Sequence, residues 1–149
     1  ADAKPMQLGH VIEADGRWRL FAFADRNGAA FGRLMQFLDE GPRSPLRRYT
    51  GPGADPDSAI DLRAVYQSAH TELLPEALPA LLRPAKGRFG LVDYEKVFCP
   101  DPAADIFDLR GIDRAAGCAL IVRPDQYVAD VLPLEDFDRL SAFFAGLLA

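Results

Sequence analysis

A chain of 149 residues, 49% apolar and 26% charged, suits one hydrophobic core, is short for two, and lacks the polarity of a disordered segment. Its formal net charge of −5 argues against nucleic acid or an anionic membrane as the main partner, because both recruit basic surfaces. Twelve glycines and twelve prolines predict many turns and few long helices, and no apolar run reaches membrane-spanning length.

Residues 1–16 show no clear period and are expected to be an extended or loop lead-in, closing in the turn Ala14-Asp15-Gly16. From Arg17 to Ala24 polar and apolar residues alternate and then turn continuously apolar, the pattern of a strand entering a sheet covered on both faces. Asp25-Arg26-Asn27-Gly28 breaks that strand, with Asn27 the expected N-cap of a helix from Ala29 to Glu40. Phe31, Leu34, Met35 and Leu38 put one face of this helix in a core, and Gly41-Pro42 ends it. The stretch from there to Ala59 reads as loop and holds the only basic cluster, Arg43, Arg47 and Arg48.

Ile60 to Tyr66 is a second strand. The leucines between 71 and 86 are spaced for a helix, which Pro75 and Pro79 must shorten or break. Lys86 to Gly90 reads as loop, Tyr94 to Phe98 as a short strand, Asp101 to Asp105 as an acidic turn, and Ile106 to Gly111 as a short helix or turn. Gly117 to Val122 is a buried strand, Arg123-Pro124-Asp125-Gln126 turns, and Tyr127 to Leu132 returns antiparallel. After Pro133, Leu134, Phe137, Leu140, Phe144 and Leu147/Leu148 mark the apolar face of a last helix. A β–α–β half followed by a β–β–α half predicts an α/β, thioredoxin-like fold over residues 1–149 as one domain, its mixed central sheet flanked by helices.

Reactive chemistry is sparse. No glycine-rich phosphate loop occurs, so neither FAD nor NAD is expected to bind this segment by the usual nucleotide fold. His10, His70, Cys99 and Cys118 are the only strong soft or imidazole donors, and none is paired at metal-ligand spacing. The two cysteines form no CxxC and read as small apolar residues, and His70 as a loop histidine. Asp101, Asp105 and Asp108 read as a solvated rim or helix caps rather than as catalytic acids and bases. The loop Asp25–Ala30, where this fold presents its function, holds no thiol and no histidine. Catalytic, cofactor-binding and metal-binding residues are thus all expected to be none.

Several longer stretches are more specific. Asp15 to Asp25, Val65-Tyr66-Gln67 with His70-Thr71-Glu72, Asp93-Tyr94-Glu95-Lys96-Val97-Phe98, Val122 to Ala129 and Phe143-Phe144 occur in that order. Together they resemble the C-terminal domain of the FAD-dependent phenol 2-monooxygenase and 3-hydroxybenzoate 4-hydroxylase family. The resemblance implies a thioredoxin-like, non-catalytic dimerisation or accessory domain. FAD and NADPH would be used by the other domains of the parent hydroxylase, which become this chain's partners together with a second copy of itself. Arg123, Tyr94 and Lys96 are then candidates for interface contacts, although an edge-strand lysine also serves simply to prevent aggregation. The alternatives are a stand-alone binding protein of this fold that partners a separate monooxygenase and, more distantly, a thiol enzyme using Cys99 or Cys118. The N-terminus lacks the charged-then-apolar pattern of a secretion signal, so the cytoplasm is the expected compartment.

Overall fold

The structure is a computed structural model that describes residues 4–148. Its main sheet has five strands, in the spatial order Val97–Phe98, Ile60–Val65, Trp18–Phe23, Cys118–Val122 and Val128–Leu132. At the centre β1 (Trp18–Phe23) pairs parallel with β2 (Ile60–Val65) and antiparallel with β6 (Cys118–Val122). The short β5 (Val97–Phe98) adds parallel to β2, and β7 (Val128–Leu132) pairs antiparallel with β6. The sheet is mixed and thioredoxin-like, as the element order predicts.

The continuous apolar run of β1 has its reason in this placement. Leu20 and Ala22 point to one face, where they share a core with Leu62, Ala64, Ala119 and Ile121 of the adjoining strands. Helix α1 (Ala29–Glu40) covers that face with Phe31, Leu34, Met35 and Leu38, the residues its period selects, and α4 (Phe137–Leu148) adds Leu140 and Phe144. Phe21 and Phe23 point to the opposite face and pack with Val65, Val122 and Phe107 of α3 (Ile106–Arg110). The Phe23 and Phe107 rings meet edge to face at 5.6 Å. Leu8, Val11 and Ile12 close this second core from a 3-10 turn at Leu8–Val11, inside the stretch where the sequence shows no period.

The structure departs from the sequence-based expectations in several places. The expected loop after Gly41 contains a short helix, α2 (Pro45–Tyr49), with Pro45 in its first turn. Ser44 caps it: its hydroxyl accepts from Arg47 N at 3.4 Å and donates to Leu38 O at 2.5 Å. Asn27 is not the N-cap of α1; Gly28 is, in the left-handed conformation, and the Asn27 side chain accepts only from Ala29 N. The leucine-rich stretch forms three single 3-10 turns, His70–Glu72, Pro75–Ala77 and Ala80–Leu82, because each proline removes a donor that a longer helix needs. Lys86 to Gly90 belongs to a hairpin of β3 (Ala85–Lys86) and β4 (Leu91–Val92), turned by Gly87 and Gly90 at positive φ. On α4, Leu147 is half exposed and does not join the buried face.

Candidate interface and buried ion network

On this fold, reactive groups are expected at the start of α1. Here Asp25 follows the end of β1, and its buried carboxylate accepts from Phe31 N at 2.8 Å and Ala30 N at 3.3 Å. The free amides and the positive end of the helix dipole are thus given to a carboxylate of the chain itself. Gln67 closes the loop from the side, donating to Ala24 O and Arg114 O, each at 2.7 Å.

The cysteines lie apart. Cys118 is paired across β1 with Phe23, Phe23 with Val65, and Val65 with Phe98, next to Cys99. Three strand spacings put them roughly 14 Å apart, well beyond disulfide reach. Both are free and half-buried, and burial pushes both thiols up, opposite to what a thiolate nucleophile needs. Burial, with the nearby Cys99 as a lesser cause, also raises the Tyr66 phenol to about 12. His70 is exposed. Among the described residues no group of three or more His, Cys, Asp or Glu is placed to hold a metal ion.

The acidic stretch has a structural role. Asp105 caps α3 by accepting from Phe107 N at 2.9 Å, Asp101 accepts from Ala103 N, and Arg114 pairs with Asp105 and Asp108 at 2.7 and 3.1 Å. The basic cluster disperses: Arg43 pairs with Asp138 at 2.6 Å, Arg47 donates to Asp39 O, and Arg48 lies over the Tyr49 ring.

The charges that matter most for the fold lie elsewhere. Arg19 on β1 stands beside Asp61 on β2, on the face that carries Phe21 and Val65. Arg19, 2% exposed, holds Asp15 through two hydrogen bonds of 2.7 Å, and its Nε lies 3.3 Å from Asp61 without a hydrogen bond. Lys96, 1% exposed, donates to Asp57 at 2.6 Å and Asp61 at 2.8 Å. Arg63 donates to Asp61 at 2.8 Å, and Lys86 bridges Asp57 and Asp93. The buried members are two carboxylates, Asp57 and Asp61, and two cations, Arg19 and Lys96, so the centre of the cluster buries no net charge; Asp15, Arg17, Arg63, Lys86 and Asp93 extend it toward the surface. Lys96 is therefore neither an interface residue nor an exposed edge lysine, because its ammonium turns inward onto two aspartates just before β5. The signal in the sequence is Asp61 and Arg63 alternating with apolar residues inside a strand whose neighbours are all core.

The network sets a pH dependence. Arg19 holds the Asp15 carboxyl at about 2, chiefly through their hydrogen bond. For Asp61 and Asp93 burial is the largest influence and raises them, but Lys96 and Arg63 on the one, and Lys86 on the other, outweigh it and leave both lowered. Groups lowered on folding contribute stability above their unfolded value, about 3.9, and lose it as pH falls through the folded value. The urea midpoint is expected to hold between about pH 6 and 8 and to fall from about pH 4 toward pH 2; an unchanged midpoint at about pH 3 would show that these pairs contribute nothing.

Exposed apolar side chains cluster in two places, while Met6, Leu74 and Leu109 stand singly. Phe89, Leu91, Val92 and Tyr94 stand on or beside the β3–β4 hairpin. Tyr127, Val128 and Val131 stand on or beside β7, and Trp18, Val128, Phe143 and Leu147 line an open groove there with Arg123 and Asp125. Arg123 pairs with Asp125 at 2.6 Å. No helix among the described residues is long and apolar enough to cross a membrane.

Comparison with known proteins gives these features a context. The family model described as "Phenol hydroxylase, C-terminal dimerisation domain" matches residues 1–149. The chain is 54% identical to a 3-hydroxybenzoate 4-monooxygenase of Comamonas testosteroni, over 99% of this chain and 24% of that protein. It is 33% identical to the FAD-dependent monooxygenase terD of Aspergillus terreus, over 99% of this chain and 25% of the relative. The chain thus spans about a quarter of the length of these curated relatives. Among solved structures, a thiol-disulfide isomerase from Corynebacterium glutamicum superposes with a TM-score of 0.52 at 11% identity, covering 99% of this chain and 89% of that one. That likeness concerns the fold alone.

Proposed function

We propose, from the premise that this chain belongs to the phenol hydroxylase C-terminal dimerisation domain family, that it is the non-catalytic dimerisation module of a flavin-dependent aromatic-ring monooxygenase. The observation that carries this reading is the family match over the whole chain, set beside relatives about four times as long that are monooxygenases. FAD and NADPH are assigned to the rest of the parent protein. The residues here do not fit a flavin dinucleotide: the amides at the start of α1 are engaged by Asp25, and the groove beside β7 is apolar apart from the Arg123–Asp125 pair. The parent's substrate is assigned to the phenolic rings, phenol or hydroxybenzoate.

Two measurements on the purified chain test the reading. Sedimentation equilibrium is expected to give a dimer at micromolar concentration. NADPH oxidation with added FAD and either phenol or 3-hydroxybenzoate is expected to stay at the rate of the protein-free control. Turnover by the chain alone would overturn the non-catalytic assignment, and a monomer at all concentrations the dimerisation assignment.

A further inference from the structure

We infer that the free edge of β7, with the groove between it and α4, is the surface on which a second copy of this chain docks. The inference rests on the dimerisation reading above and adds where the contact lies. The sheet ends on one side in β5, a two-residue strand with Val97 buried. On the other side it ends in β7, a five-residue strand with no strand beyond it among the described residues. Such an edge presents unpaired backbone donors and acceptors, and proteins usually guard it with lysine, proline or an inward charge. β7 reads Val128-Ala129-Asp130-Val131-Leu132, without lysine or proline; its guards are a register shift against β6 beside Ala129 and the inward Asp130, which pairs with Arg139 of α4 at 2.5 Å.

Charge favours the same place. Each copy carries −5, so two copies repel unless they meet where the acidic excess is absent. The groove beside β7 has Arg123 and Asp125 as its only charged lining residues, and they neutralise each other. Tyr127, Val128 and Val131, 72%, 57% and 53% exposed, supply apolar surface along the strand. A two-fold axis across β7 pairs the strand with its own copy antiparallel, using the same patch on both subunits. The β3–β4 hairpin is the competing apolar surface, but its strands are only two residues long.

The test compares the unmodified chain with Val128→Lys/Val131→Lys and with Leu91→Lys by sedimentation equilibrium, with circular dichroism to verify the fold. The β7 double variant is expected to weaken the dimer at least about 100-fold, since it sets like charges opposite each other across the axis, while Leu91→Lys leaves it unchanged. Hydrogen exchange on the unmodified chain, independent of any variant's folding, is expected to show β7 amides protected in a concentration-dependent way. A double variant that folds and stays dimeric, β7 amides insensitive to concentration in a dimer, or dissociation by Leu91→Lys would overturn this inference and leave the dimerisation reading standing. A monomeric unmodified chain would remove both.

Discussion

Replacing Lys96 with Met is expected to destabilise the folded chain by about 3 kcal/mol, read as a lower urea midpoint at unchanged slope. The ammonium is 1% exposed and lies between Asp57 and Asp61, themselves buried. Removing one partner of a buried pair leaves uncompensated charge, which costs about 3–5 kcal/mol. The lower end applies because Lys86 still faces Asp57 and Arg63 still faces Asp61. Against a typical domain stability of about 5–15 kcal/mol, that is a large fraction. Adding Asp57→Asn to Lys96→Met is expected to cost less than the sum of the two single changes, because the second removes the charge that the first strands. Additive effects, or a loss under about 1 kcal/mol for Lys96→Met, would mean the network is not what joins β5 to the centre of the sheet.

Gly117→Ala is the second large effect, expected at about 3 kcal/mol. Gly117 has φ of +64°, a conformation that costs an L-residue about 1–2 kcal/mol. An added Cβ would also run into Phe23 O and lie 2.8 Å from Asp25 N, both backbone atoms. Relief would require moving the end of β1 and the loop that caps α1, and overpacking of this kind costs about 1–3 kcal/mol. For a chain of this size the melting temperature should drop by roughly 6–12 °C. Gly53→Ala, also at positive φ but with open space around it, is the control and should cost only the backbone part; equal losses at both positions would show that the close approach to β1 is not felt.

Much of the fold was legible because it follows from local periodicity. The continuous apolar run of β1 meant two covered faces, and Phe31, Leu34, Met35 and Leu38 named the buried face of α1. The hairpin of β6 and β7 followed from its turn residues. The region between β2 and α3 was less legible, since Pro75 and Pro79 cut a helical pattern into single turns and a two-residue strand has no period to detect. The candidate surface was legible only in part: the Val122–Ala129 segment stood out, but nothing in it says that β7 lies at the edge of the sheet.

By itself the sequence determined the order of β1, α1, β2, β6, β7 and α4, the absence of a CxxC motif and of a glycine-rich phosphate loop, and the family that its ordered motifs resemble. These depend on residue type and spacing along the chain. Only the tertiary structure decided that Lys96 is buried against Asp57 and Asp61, that Asp25 takes the Ala30 and Phe31 amides of α1 while Asn27 holds only Ala29 N, and which strand is left without a neighbour. Those depend on long-range pairing: Asp57 and Lys96 are distant in sequence, and a charge becomes a buried partner or a solvated rim only once the sheet has set its strand order.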